Sequence, residues 1–435
     1  MGGITMKQRY DSYKPSGIDW IGDIPSHWDI TPLKRNLRMP LKYGANEPAE
    51  SEDKNYPRYI RITDIDSNGN LKDETFKSLE PSKATDYLLV KGDVLFARSG
   101  ATVGKTYIFK EPYEACFAGY LIKASCSLRL SPQFLFYYTN SGMYNNWKNS
   151  IFIQSTIQNI GADKYSLLPL PLPPIAEQEA IAAWLDEKCG EIDAAIAKVD
   201  REIELIDELK QSKISRVVTR GLNPDALLRP SGIDWIGDIP KHWTKCRLKF
   251  IGSARNGLTY SPSDVKDSGK LVIRSSNIQD AKLNYDDCVF VANYPETLSV
   301  NSGDTIICSR NGSINLIGKS VFIEDDMDVT FGAFMMRFRP YEHPKYSHYL
   351  LSIAISRYKG LFATTTINQL TADSLGKMEA VMPPYMEQVQ IADYLDKKCA
   401  AIDGLKAKLI KKRETLTELR QSIISEVVTG KRKVI

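Results

Sequence analysis

The chain repeats its opening and closing motifs at a period of about half its length, so it must fold as two similar frames rather than as one continuous core. Residues Pro15 to Pro25 read PSGIDWIGDIP, and Pro230 to Pro240 read the same eleven residues. His27 and Trp28 recur as His242 and Trp243. A closing motif is also duplicated. Pro173-Pro174-Ile175-Ala176-Glu177-Gln178 returns as Pro383-Pro384-Tyr385-Met386-Glu387-Gln388, and Leu209, Gln211, Ser212 and Thr219 return as Leu419, Gln421, Ser422 and Thr429. The opening motif repeats at an offset of 215 and the closing motif at 210. The stretches between the copies look largely different. One scaffold with two different contents suits a protein that reads two different things.

A length of 435 residues gives a prior of two to four domains. The half-chain period is too long for a solenoid. Hydrophobic content of 43% and charged content of 25% are those of a globular protein. No run of 18 apolar residues marks a membrane span. The start MGGITMKQRY lacks a signal-peptide core, so a cytoplasmic location is expected. Seven cysteines without a CxxC pair argue against a disulfide framework and a zinc ribbon. Cys189 and Cys399, at equivalent apolar positions, read as packed thiols.

Two long helices follow from the pattern. From Ile175 to Thr219 there is no proline and Gly190 is the only glycine. Ile192, Ile196, Val199, Ile203 and Ile206 step 4-3-4-3, a heptad seam. In the second copy Ile402, Leu409, Leu416 and Ile423 fall every seven residues, with Leu405 and Leu419 between. Paired prolines precede each helix, and Gly221 or Gly430 closes it. Residues 171–222 carry a charge of −4 and 381–435 one of +4, which favours pairing the helices with each other. Two merely solvated helical faces are the alternative. The expected fold class is two α/β globular domains of similar fold, joined by two long helices in an antiparallel coiled coil with a pseudo-twofold repeat. The expected limits are 1–28 for the first opening segment, 29–170 for the first domain, and 171–222 for the first helix. A linker with the second opening motif spans 223–243, the second domain 244–380, and the second helix 381–435.

The two domains carry short strand signals at Tyr59–Ile62, Tyr87–Val90, Val94–Ala97 and Thr106–Phe109, with turns at Asn68-Gly69, Lys91-Gly92-Asp93 and Ser99-Gly100. Faint correspondences link them. Gly92-Asp93…Arg98-Ser99-Gly100…Gly104-Lys105 parallels Gly303-Asp304…Arg310-Asn311-Gly312…Gly318-Lys319, and Thr156-Ile157 parallels Thr366-Ile367. Trp20, Trp28, Trp235 and Trp243 read as packing anchors.

No motif reads as an active site. Gly100 and Gly104-Lys105-Thr106 are spaced by three residues where a phosphate loop needs four, so a hairpin is the better reading. Met382-Pro383-Pro384-Tyr385 resembles an amino-methyltransferase motif whose first side chain must accept a hydrogen bond, which Met382 cannot do. A proline-led helix start accounts for it. No Ser–His or Cys–His pairing and no carboxylate cluster recurs in both halves.

Taken together, (Leu/Met)-Pro-Pro-x-x-Glu-Gln-x-x-Ile before a long heptad helix, twice, resembles the specificity subunit of type I restriction–modification enzymes. The segment Trp20 to Trp28, with its copy Trp235 to Trp243, is similar to the start of that family's target-recognition domains. The resemblance implies a non-catalytic, sequence-specific subunit. Each domain would read half of a bipartite, asymmetric double-stranded DNA site. Two modification (methyltransferase) subunits would dock, and restriction (translocase/nuclease) subunits would join them. No cofactor is expected on this chain; S-adenosylmethionine, ATP and Mg are expected on the partner subunits. Arg61, Arg98, Lys105, Arg274, Arg310 and Lys319 are repeated basic positions near turns and candidates for DNA contact. Asn311 can contact adenine through both amide atoms, and Ser99 is its counterpart. Ordinary surface charge or internal ion pairing is the alternative for each. Two other functions stay open: a coiled-coil scaffold whose domains bind proteins, and a self-contained DNA methyltransferase or nuclease with an unrecognised site.

Overall fold

The computed structural model describes residues 8–66, 69–100, 102–152, 158–362 and 368–434. Asn68 and the Thr156-Ile157/Thr366-Ile367 correspondence lie outside the described residues. The chain divides into two compact units, one of residues 1–200 with 410–435 and the other of 201–409. Each unit thus holds one globular domain, the start of one long helix and the end of the other.

The helices run over Ile175–Arg220, 46 residues, and Tyr385–Val428, 44 residues. A glycine just past each helix turns left-handed, at φ +71° for Gly221 directly after Arg220 and for Gly430 two residues after Val428. A Cβ on Gly430 would also lie 2.3 Å from Pro25 Cδ, so nothing larger fits beneath the opening motif. In the first unit the end of the second helix buries Ile424, Val427 and Val428 against Trp28, Ile24 and Ile181. In the second unit the end of the first helix buries Ile214, Val217 and Val218 against Trp243, Ile239 and Ile391. Each such side chain contributes about 1.5–3 kcal/mol of burial.

Ion pairs join the helix segments within each unit. Asp193–Arg420 (2.8 Å) and Asp200–Arg413 (2.6 Å) lie in the first. Asp207–Lys406 and Lys210–Asp403, both 2.7 Å, lie in the second. Ile181, Leu185, Ile192 and Val199 are buried. Ile402, Leu409 and Leu416 are half-buried. Leu405 and Leu419 are 51% and 46% exposed, so they lie outside the seam.

The opening motifs are hairpins, Tyr13–Pro15 with Asp23–Pro25 and Leu228–Pro230 with Asp238–Pro240. Trp28 and Trp243 are buried and serve as anchors, whereas Trp20 and Trp235 are half-buried. The repeated Glu-Gln explains itself here. Trp28 Nε1 donates to Glu177 Oε1 (3.1 Å), with His27 Nε2 2.9 Å from Oε2. Trp243 Nε1 and His242 Nε2 meet Glu387 at 3.1 and 2.8 Å. The buried Gln178 accepts from Ser131 N and donates to Pro173 O, both at 2.8 Å. The closing motif therefore clamps the opening motif in each unit.

The domains share one sheet plan. In the first, Lys42–Tyr43, Leu121–Ala124, Val94–Ala97 and Thr106–Ile108 lie in that order, all antiparallel. In the second, Gly252–Asn256, Met335–Pro340, Thr305–Cys308 and Ser320–Phe322 do the same. A parallel pairing recurs beside each: Arg58–Ile60 with Ala115–Phe117, and Leu271–Ile273 with Val329–Phe331. The repeated Gly-Asp is part of this scaffold. Buried Asp93 accepts from Val90 N at 3.0 Å, and buried Asp304 from Asn301 N at 2.8 Å. The strand expected at Tyr87–Val90 is absent. A 3-10 turn occupies Thr85–Tyr87, and Leu88 makes only an isolated bridge to Cys116. Cys189 and Cys399 are buried, and burial pushes the Cys189 thiol up to about 11. Among the described residues no helix is long and apolar enough to cross a membrane.

Candidate nucleic-acid interface

In each domain the hairpin that leaves the second central strand carries most of the candidate residues, while Arg61 and Arg274 directly follow a strand of the parallel pair. The amides of Val103, Gly104 and Lys105 serve the hairpin. Val103 N donates to Gly100 O, Gly104 N to Ala97 O and Lys105 N to Thr102 O, at 2.8–3.0 Å. No amide cradle for a phosphate forms from them. Likewise Met382 ends a strand paired with Thr244–Arg247, and Tyr385 begins the long helix. Among the described residues no three His, Cys, Asp or Glu side chains come together as a metal site.

Arg98 lies 4.8 Å over the Tyr43 ring, and its backbone N donates to Tyr120 O at 3.0 Å. Ser99 bridges Asn159 through the backbone. Lys105 Nζ donates to Ile65 O at 2.8 Å, and burial holds its ammonium below the usual lysine pKa against the opposing pull of Asp66. Arg61 pairs with buried Asp64 through Nε and Nη2, at 3.1 and 2.7 Å, and Nη2 also donates to Thr75 O. Arg61 is thus an internal ion-pair partner that shapes the loop below Lys105.

The second domain gathers its candidates more tightly. Arg274, Arg310 and Asn311 line one groove of about 510 Å³ together with Leu258, Tyr260 and Phe334. Lys319 Nζ donates to Ser275 O, on the same rim, at 3.4 Å. Arg310 lies 5.7 Å over the Phe334 ring and donates to Gln369 Oε1 at 2.7 Å. Arg274 pairs with Asp287 at 2.8 Å. Asn311 Oδ1 accepts from Ser313 N at 2.9 Å, so half of its amide is already engaged.

The repeated arginines are not positional equivalents. Ala97 pairs with Leu121 and Cys308 with Met335, so Arg98 directly follows its strand while Arg310 comes one residue later. Ile160 N donates to Arg98 O, and Leu370 N to Ser309 O. Ser99 bridges Asn159 where Arg310 bridges Gln369. Arg310 therefore stands where Ser99 stands. In an extended segment a shift of one residue turns a side chain to the other face, and the two arginines stack on different rings.

Reasoning from the sequence missed Phe334 and Tyr120, whose backbone carbonyls accept from Arg310 N and Arg98 N. Phe117-Ala118-Gly119-Tyr120 and Phe331-Gly332-Ala333-Phe334 share an aromatic-small-small-aromatic pattern, which was the available signal.

A model of the type I restriction modification DNA specificity domain matches the chain twice, at residues 30–204 and 240–412. The chain belongs to this family. Each specificity-domain match runs from its opening motif or just beyond into a long helix. The chain is 22% identical to the type I restriction enzyme EcoKI specificity subunit of Escherichia coli (strain K12), over 94% of this chain and 90% of that one. It is 24% identical to a putative type I restriction enzyme MjaX specificity subunit of Methanocaldococcus jannaschii, over 95% and 96%. A chain solved in work on complex assembly and conformational transition of the type I R-M system superposes with a TM-score of 0.69. That match is 18% identical and covers 93% of this chain and 98% of that one. The fold of this chain is therefore shared with that solved chain.

Proposed function

We propose that this chain is the DNA-reading subunit of a type I restriction–modification assembly, without catalysis of its own. Residues 29–170 and 244–380 each read one half of a bipartite, asymmetric duplex site. Residues 1–28, 171–222, 223–243 and 381–435 form the frame. The observation that carries this reading is the doubled scaffold: one sheet plan and one clamp, twice, around loop clusters of different basic and aromatic content. Base edges are read by such loop side chains, and basic groups at phosphates add affinity. Arg98, Ser99 and Lys105 in one domain, and Arg274, Arg310, Asn311 and Lys319 in the other, are the proposed contacts, with Arg61 supporting them. Segments 29–170 and 244–380 carry only +3 and +2, a weak backbone grip that partner subunits would strengthen.

The long helices pair antiparallel as a coiled coil in this reading. The ion pairs support it: as the first partner advances by seven from Asp193 to Asp200 and to Asp207, the second retreats from Arg420 to Arg413 and to Lys406. Leu205, Leu209, Leu405, Ile410 and Leu419 are 41–52% exposed on the helices, apolar surface suited to two modification subunits. Those subunits bring S-adenosylmethionine, and restriction subunits bring ATP and Mg chemistry, in the cytoplasm where the DNA lies.

The test is methyl transfer from S-adenosylmethionine to DNA. The chain alone gives none. The chain with its modification subunits methylates one bipartite sequence, with affinity that falls steeply as salt rises. Methylation or cleavage by the chain alone, or an assembly with no sequence preference, would overturn the proposal.

A further inference from the structure

We propose that one exposed aromatic ring in each recognition domain, Phe334 in one and Tyr120 in the other, is a direct nucleobase contact. The ring lies against a base of the duplex while the neighbouring arginine meets phosphate or a base edge. This rests on the DNA-reading function proposed above.

Both rings sit at the same place on the scaffold. Met335 N donates to Gly332 O, and Leu121 N to Ala118 O, each at 2.8 Å, closing two matching tight turns with the aromatic at the third position. Each turn joins a strand of the parallel pair to a strand of the antiparallel sheet. Neither turn can retreat. A Cβ on Gly257 would lie 2.3 Å from Phe331 O and Gly332 O, and one on Gly44 would lie 2.3 Å from Phe117 O and Ala118 O, so bare backbone is packed behind each. The rings therefore project from rigid ground.

Both are left in water, Phe334 58% exposed and Tyr120 64%. A single exposed aromatic needs no explanation. Two at one scaffold position, in domains whose contents otherwise differ, do need one. Their surroundings point to the ligand. Arg310 donates its backbone N to Phe334 O at 3.1 Å and lays its guanidinium over the ring, above the groove that Arg274 also lines. In the first domain Arg98 donates its backbone N to Tyr120 O, as Ser309 does to Phe334 O, while the Arg98 guanidinium lies 4.8 Å over the Tyr43 ring. An exposed aromatic on a fixed turn, with an arginine close along the same loop cluster, matches the two faces of a nucleotide, a flat π-system and an anionic phosphate. Apolar side chains also wedge between base steps of a duplex and meet the thymine methyl group.

The competing role is positional, with the ring serving only to hold Arg310. Salt dependence separates the two. Loss of a phosphate contact lowers the slope of log affinity against log salt by about one, whereas loss of a stacked base leaves the slope unchanged. The experiment uses the full chain assembled with its modification subunits. Binding to the cognate duplex is measured across salt, and methylated sites are mapped. Phe334→Ala weakens cognate binding about tenfold at unchanged slope and relaxes only one half-site. Phe334→Tyr keeps wild-type behaviour, and Tyr120→Ala relaxes the other half-site. Because both rings are exposed, the thermal midpoint of each variant stays at the wild-type value. Binding by Phe334→Ala equal to wild type, or a slope change matching that of Arg310→Ala, overturns the proposal. A wild-type assembly without sequence preference would instead bring down the DNA-reading function itself.

Discussion

At the scale of single residues, Glu177 and Glu387 decide whether the frame closes. Glu177 is buried, accepts the Trp28 indole N–H and faces His27. Removing the carboxylate strands a buried donor, which costs about 1–3 kcal/mol. Glu177→Ala should lower stability by that amount in urea titration, and Glu177→Gln by less, since the amide oxygen still accepts. Glu387→Ala should cost less than Glu177→Ala because Glu387 is only half-buried. Equal stability of Glu177→Ala and wild type would show that the clamp carries no weight. The repeat made Glu177, Gln178, Trp28 and His27 visible as a set, but not as partners, since 149 positions separate Trp28 from Glu177. The arginine equivalence failed for a related reason. Matching Arg-x-Gly by identity hides a one-residue difference in strand exit, and only the ladder register reveals it.

At the scale of elements, the long helices were legible almost to the residue. Forty-odd positions without proline, a heptad seam and glycine stops leave no competing structure. The strand at Tyr87–Val90 was misread because a short apolar run is buried equally well as a strand or as irregular chain. Its Leu89 packs beside Ile60 and Leu95 without joining a ladder. The aromatic turns were overlooked because small residues flank them and no periodicity marks them. If the paired helices set the gap between half-sites, their length is a quantity that DNA can measure. Four added residues near the domain-proximal end of one helix lengthen it by about 6 Å, close to two base pairs at about 3.4 Å each. Such an insertion should widen the unread spacer by one or two base pairs and leave both half-sites intact in methylation maps. An active mutant with an unchanged spacer would end this idea.

At the scale of the whole molecule, the doubled scaffold predicts modular reading. Each unit has its own clamp, its own sheets and its own apolar core, so exchanging residues 29–170 for the matching segment of a relative should change one half of the recognised sequence. Methylome sequencing of the hybrid decides it, and changes in both halves would contradict independent reading. The way the chain is cut into units also bears on its synthesis. Tyr13 Oη donates to Gly430 O across 417 positions, and Lys433 N donates to Gln8 O. The first unit therefore stays open on the ribosome, its apolar seat for Ile424, Val427 and Val428 empty, until those residues emerge. The second unit, ending at Leu409, can close earlier. Contacts so distant in sequence form slowly, and exposed apolar surface in the meantime invites aggregation or proteolysis. A chain truncated before Ile424 would lack the first reading domain's support rather than the second's, so translation must pass this point before one subunit can direct two half-sites at once.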